Sequence, residues 1–266
     1  MKKTILITGA TDGIGLETAK TLVVNNHNVL LHGRNAAKLA DVEQTLSRLG
    51  GSGKIESYAA DLSNMQDVDA LAQAVSAKHN KLDVLINNAG VLKAAETRTA
   101  NNLDVRFMVN TFAPYRLTQL LLPLIDSTGR VLNLSSAAQA SVDVDAMAGT
   151  TQLGDMEAYA QSKLAITMWS QEMAKQDGAP IMIAVNPGSL LGTKMVKEGF
   201  GTDGKDINIG SDILCRLALD DEFKNASGQY FDNDSGRFAA PHGDAANAEK
   251  TANVLRAIDA IVKQNT

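Results

Sequence analysis

Near its start the chain runs Thr4-Ile-Leu-Ile7 and then enters a loop punctuated by Gly9, Gly13 and Gly15, from which a helix begins near Ile14. An apolar run without polar alternation is a strand buried on both faces, so helices must cover its sheet from two sides. Glycines remove Cβ atoms where the backbone turns and approaches a ligand, and free N–H groups at a helix start favour an anion. The stretch therefore reads as a phosphate cradle. A strand-turn-helix corner with glycines placed for packing is the plainer alternative.

Strand and helix patterns alternate along all 266 residues, which predicts one α/β domain, doubly wound around a parallel sheet. Further strand signals fall at Asn28–His32, Lys54–Ala59, Leu82–Ile86, Gly129–Leu134 and Ile181–Val185, with a short seventh at Gln229–Asp232. Ligands of such sheets gather beyond the carboxyl ends of the strands, so the residues that follow each strand carry the information. Those residues include Asp61-Leu62, Asn87-Asn88-Ala89-Gly90, Ser135-Ser136 and Asn186-Pro187-Gly188. Asp61 either faces the ligand edge or caps the helix after Ser63. The second strand ends at Gly33-Arg34, with Lys38 one turn later and no carboxylate to hold a ribose hydroxyl. A guanidinium there suits a phosphate, although both cations also read as solvated charges at a helix start.

The segment Thr99–Ile125 predicts a long helix interrupted at Pro114, with Asn110 just before the interruption and its role undecided. A second helix, from about Glu157 to Gln176 and capped by Asp155 or a neighbour, sets Tyr159 and Lys163 one turn apart on the same face. Two irregular stretches, near 137–156 and 189–208, are too long to be idle connections and are expected to shape a substrate site. The second of them is glycine-rich and suits a lid. Met147, Met156, Leu190, Leu191, Met195 and Phe200 give these stretches an apolar content that fits a pocket wall or ordinary packing equally.

A formal net charge of −5 offers no footprint for nucleic acid or an anionic membrane surface, so the expected partner is a small molecule. The single cysteine, Cys215, excludes an internal disulfide and fits a reducing compartment; a cytoplasmic protein is expected. The four histidines stand too far apart for a metal-ligand pattern, and no apolar run reaches the length of a membrane span.

Thr8-Gly9-x-x-x-Gly13-x-Gly15, Asn87-Asn88-Ala89-Gly90, Asn110, Ser136, Tyr159-x-x-x-Lys163 and Pro187-Gly188 together resemble the short-chain dehydrogenase/reductase superfamily, in order along nearly the whole chain. The resemblance implies a Rossmann-like sheet of seven parallel strands, a nicotinamide cofactor across its carboxyl edge, and a homo-oligomer. It implies a catalytic set of Asn110, Ser136, Tyr159 and Lys163. The cofactor would meet Thr8, Gly9, Thr11, Asp12, Gly13, Ile14, Gly15, Arg34, Lys38, Asp61, Leu62, Asn88, Ala89, Gly90, Tyr159, Lys163, Pro187, Gly188 and Thr193. Asp12 stands where many NADP-using members carry a basic residue, so a grip on a 2′-phosphate rests on Arg34, with Lys38 and backbone groups. NADP(H) is favoured and NAD(H) is the alternative. The long Ser136–Tyr159 insert, Arg34-Asn35 and Gly228-Gln-Tyr-Phe231 resemble the branch of retinol dehydrogenases and the WW-domain oxidoreductase. The implied activity is interconversion of an alcohol with a ketone or aldehyde. A dinucleotide-binding scaffold without turnover is the competing reading.

Overall fold

The computed structural model describes residues 1–266. In chain order the elements are β1 (Thr4–Ile7), α1 (Gly13–Val24), β2 (Asn28–Gly33), α2 (Ala36–Ser47), β3 (Ile55–Ala59), α3 (Met65–Lys78) and β4 (Val84–Asn87). The chain continues through α4 (Val105–Phe107), α5 (Ala113–Leu121), β5 (Arg130–Leu134), α6 (Val144–Met147), α7 (Asp155–Met173) and β6 (Ile181–Asn186). It closes with α8 (Lys194–Phe200), α9 (Asn208–Leu219), β7 (Gln229–Asp232), β8 (Arg237–Ala239) and α10 (Ala248–Asn265).

One sheet has the order β3-β2-β1-β4-β5-β6-β7-β8. All pairings are parallel except β7 with β8. Alternation along each strand sends side chains to two cores. Leu6, Leu30, Leu85, Val131 and Met182 face α3, α5, α7 and α10, while Ile5, Ile7, Leu31, Ile86 and Ile183 face α1, α2 and α9. Because the chain winds outward from β1 to β3 and returns to place β4 beside β1, neighbouring loops diverge between these two strands and leave a crevice.

The eighth strand corrects the expected seven. It has only three residues, too few for a sequence pattern, and forms a hairpin through a turn in which Gly236 takes φ +67°. Phe238 anchors it edge-to-face on Phe231, with ring centroids 5.1 Å apart.

One helix expectation also changes. The Thr99–Ile125 segment begins its helix at Val105, capped by Asp104, and opens into a wider π-turn over Met108–Phe112 before α5. Pro114 lies in the first turn of α5, where a missing N–H is tolerated, but it offers no donor to the Asn110 carbonyl four residues earlier. The cap position of α7 is Gly154, the neighbour of Asp155 that the sequence also allowed. The Asp155 carboxylate instead accepts from Arg106 at 2.8 Å, and Arg106, fully buried, also pairs with Asp104 at 2.7 Å. This triad clamps the start of α4 to the start of α7.

Candidate active site

A cleft of about 1060 Å³ follows the carboxyl edge of the sheet, lined by residues that succeed β1 through β6. At its β1 end, Asp12 caps α1 by accepting from the Gly13 amide at 2.8 Å. The N–H groups of Ile14 and Gly15 find no acceptor within the chain, so two helix-start donors are available to an anion. Gly13, at φ +57°, lines the cleft, and a Cβ there would meet only Thr193, at 3.6 Å.

Gly9 and Gly15 do different work. A Cβ on Gly15 would fall 2.4 Å from both Asn88 Nδ2 and the Gly9 carbonyl, and one on Gly9 would fall 2.9 Å from Ala89 Cα. These glycines let the loop dock on the β4 end, where Asn88 Nδ2 donates to Thr8 O at 2.8 Å and to Gly9 O at 3.1 Å. Thr8 is buried beneath the loop, its hydroxyl accepting from the Ala89 amide at 3.0 Å, so its side chain works inside the fold instead of on the cleft wall. In an open helix Gly→Ala stabilises by about 1 kcal/mol, but here the contact is too short to relax. Gly15→Ala is expected to destabilise the fold by about 1–3 kcal/mol, the range for overpacking. A urea midpoint equal to or above that of wild type would show the contact to be compliant.

At the β2 end Arg34 is exposed on the cleft wall and makes no ion pair. Lys38 is committed: its Nζ lies 3.0 Å from Asp12 Oδ2. Burial pushes the Asp12 carboxyl up, but the hydrogen bonds from Lys38 and the Gly13 amide outweigh it and hold it below the ordinary carboxylate value. Asp61 does not cap α3, which Asn64 caps; Asp61 folds its own turn by accepting from the Ser63 amide and hydroxyl at 2.9 and 2.8 Å. Asp61, Leu62, Asn88, Ala89, Gly90, Pro187 and Thr193 all line the cleft, whereas Gly188 turns at φ +128° behind it.

His32 was not singled out from sequence, yet it ties this edge together. It is 1% exposed, its Nδ1 accepts from the Gly9 amide at 3.1 Å, and its Nε2 lies 3.1 Å from Ala60 O. The second contact requires a proton on Nε2, so the neutral tautomer is defined. Burial holds its pKa down at about 4.

Deeper in the cleft, α7 presents Tyr159 and Lys163 beneath the end of β5. Tyr159 is partly exposed; the protein around it pushes its phenol above the ordinary value, and the nearby Ser136 hydroxyl works in the opposite direction. Lys163 is 3% exposed, donates to Leu134 O at 2.6 Å, and carries Nζ 5.5 Å from the Tyr159 ring centroid. Burial lowers its pKa to about 7. The two serines separate as extended geometry requires. The Ser135 hydroxyl turns into α7, 2.9 Å from Lys163 O and 2.7 Å from Thr167 Oγ1, while Ser136 turns to Tyr159.

Asn110 is wholly buried behind this group. Its Oδ1 accepts from the Val91 amide at 2.8 Å, and its Nδ2 donates to Val91 O at 2.9 Å and Ser162 Oγ at 3.0 Å. The side chain joins the β4 loop to α7, and Pro114 offers the main-chain carbonyl no N–H. Tyr230 from β7 and Gln139 hold the Ser136 carbonyl at 3.0 and 2.9 Å. Neither was flagged in advance as a support, although Tyr230 lies within the Gly228–Phe231 motif.

The expected substrate walls are partly displaced. Among the six apolar residues of the long loops, only Met195 lines the cleft. Met147 and Leu191 are core residues, and Met156, Leu190 and Phe200 are exposed elsewhere. The 137–156 stretch packs α6 against the body of the protein, and the 91–99 loop, with Leu92, Ala94 and Thr99, takes its place along the cleft. The Ser189–Gly204 stretch contains the short helix α8, capped by the Thr193 side chain.

A sheet with this switch point, a glycine loop at its first strand and a Ser-Tyr-Lys group at its fifth define a dehydrogenase class. The chain belongs to the short chain dehydrogenase family, whose model matches residues 3–203, and it is an enzyme of that family resembling the retinol dehydrogenases. Human retinol dehydrogenase 13 is 27% identical over 263 residues, covering 91% of this chain and 80% of the relative. The chloroplastic short-chain dehydrogenase TIC 32 A of Brassica napus is 28% identical over 253 residues, covering 86% of this chain and 79% of that protein. A structure assigned to a short-chain dehydrogenase of Escherichia coli CFT073, complexed with NADPH, matches with a TM-score of 0.69 at 28% identity, covering 87% of this chain and 96% of that one. No helix of the chain is long and apolar enough to cross a membrane.

Proposed function

We propose that this enzyme is an NADP(H)-dependent oxidoreductase that interconverts an alcohol and a ketone or aldehyde. The observation that carries the reading is that Tyr159, Lys163, the open α1 start and the unpaired Arg34 all face one continuous cleft. The residues present fit a dinucleotide phosphate: two amides without acceptors, a glycine whose missing Cβ keeps the approach open, and a guanidinium with no counter-ion. Ile14 and Gly15 amides would hold the pyrophosphate, Arg34 the 2′-phosphate, and Lys163 with the Pro187–Thr193 segment the nicotinamide half. When bound, the nicotinamide supplies or accepts the hydride.

The chain itself handles the proton. A phenol raised by burial is fully protonated near neutrality, which sets Tyr159 to donate its O–H to a carbonyl oxygen in reduction. Ser136, whose hydroxyl lies near enough to favour the same phenol's ionised form, is placed to donate to that oxygen as well. Lys163, with a pKa of about 7, exchanges a proton readily at neutral pH and can recharge the phenol's surroundings. In the free chain burial acts on both groups and favours their neutral forms. Asn110 serves by position, its side chain fixing the β4 loop against α7.

Titration with NADPH and NADH, followed by nicotinamide fluorescence, tests the reading. NADPH is expected to bind in preference, and Arg34→Ala to weaken it by about 10- to 100-fold, the worth of a charge-assisted hydrogen bond. Equal binding of both nucleotides with no effect of Arg34→Ala would remove the phosphate role of Arg34. Binding of neither would remove the oxidoreductase reading.

A further inference from the structure

Part of the cleft is not accounted for by a dinucleotide. Leu92, Val105, Val109 and Met195 give it an apolar wall, and the first three are at least nine-tenths buried. Arg98 lines the same cleft, partly buried and without an ion pair. Asp104, across a β-bridge from Arg98, is taken by Arg106, as is Asp155. Lys93 and Glu96 are exposed on the same loop, line the same cleft and pair with no other charge.

The Arg98 guanidinium bonds only to main-chain carbonyls. Nη1 donates to Asn102 O at 2.8 Å and Gly149 O at 3.2 Å, and Nη2 to Thr151 O at 3.4 Å. Of its five N–H groups, that leaves Nε–H and one on Nη2, which share an edge of the fork. This is the edge that a planar two-oxygen anion takes in bidentate fashion, and a partly buried charge without such a partner is costly.

We propose that Arg98 is the anion-binding end of the substrate site, and that the substrate is a carbonyl compound, or its alcohol, bearing a carboxylate at the end of an apolar spacer. The carbonyl lies at Tyr159, the spacer along Leu92, Val105, Val109 and Met195, and the carboxylate on Arg98. A single fork edge suits a carboxylate better than a phosphate dianion, which would call for a second fixed cation. The inference rests on the oxidoreductase reading for its carbonyl end and on Arg98 alone for its anionic end.

The test uses (ω−1)-oxo fatty acids of graded chain length, each beside its methyl ester, with NADPH and the full chain. At the best length the acid is expected to exceed its ester in kcat/KM by about 10- to 100-fold. In Arg98→Ala that ratio falls to about one, and Arg98→Lys restores part of it. If Arg98 only fastens the 149–151 loop, Arg98→Ala lowers acid and ester alike and the ratio survives, which overturns the proposal. So does a wild type that does not distinguish acid from ester. A second arm needs no turnover: binding of decanoate and decanol by saturation-transfer NMR. Decanoate held by wild type but not by Arg98→Ala supports the anion site even if no oxo acid is reduced, in which case the oxidoreductase reading fails alone. Decanoate bound equally by both proteins, or by neither, overturns the site.

Discussion

Tyr159→Phe is expected to lower turnover by about 10²- to 10⁴-fold, the usual contribution of a positioned general acid, with NADPH affinity unchanged within about twofold. The substitution deletes one hydroxyl. The ring remains in α7 with Lys163 Nζ over its face, so the cleft keeps its shape. What is lost is the phenol O–H proposed as proton donor, protonated near neutrality because burial raises its pKa. The check is single-turnover reduction of a carbonyl substrate beside a fluorescence titration of NADPH. Parallel loss of affinity and turnover would mean that the phenol organises the nucleotide site and does not transfer a proton. A variant as active as wild type would favour a scaffold whose chemistry lies elsewhere.

The second large effect is on acid stability. His32 is neutral in the fold with a pKa near 4, against about 6.5 when exposed in the unfolded chain. Between these values the unfolded chain binds the extra proton, so stability falls as pH falls. The contribution is fully present above pH 6.5 and about 3 kcal/mol of it is gone at pH 4. Protonation would also abolish the acceptor for the Gly9 amide, so the glycine loop should loosen in the same window. Urea unfolding of wild type and His32→Gln between pH 7.5 and 4.5 checks this. The variant should start less stable, because the Gln amide cannot reproduce both ring contacts, and should show a shallower decline. Parallel curves would place the acid sensitivity in other groups.

The two cases show what the sequence could and could not disclose. Tyr159 and Lys163 are legible because a helix converts a spacing of four into a shared face, and the strands are legible because burial on both sides leaves uninterrupted apolar runs. His32 is illegible for the same reason: inside an apolar strand, a histidine looks like a residue that merely tolerates burial, and its partners Gly9 and Ala60 are 23 and 28 positions away. Asn110 was visible as an oddity in a helix, but its three partners on Val91 and Ser162 exist only after α7 docks on the β4 loop. The loop at 91–99 was overlooked because it is short and mixed in composition. The 137–156 insert attracted the substrate role by length, yet Met147 from it is spent on the core. Strand β8 escaped because three residues hold too little pattern to set against the turn before them.

The Asp12–Lys38 pair has a consequence for anyone wishing to redesign the nucleotide end of the cleft. With Arg34, the pair gives the outer corner of the cleft one net positive charge. Exchanging Arg34 alone for a carboxylate, to receive a ribose diol, would turn that corner into one net negative charge. Two acids would then compete for a single ammonium. A redesign that neutralises Asp12 in the same step keeps Lys38 available and changes the corner's selectivity without reversing its field.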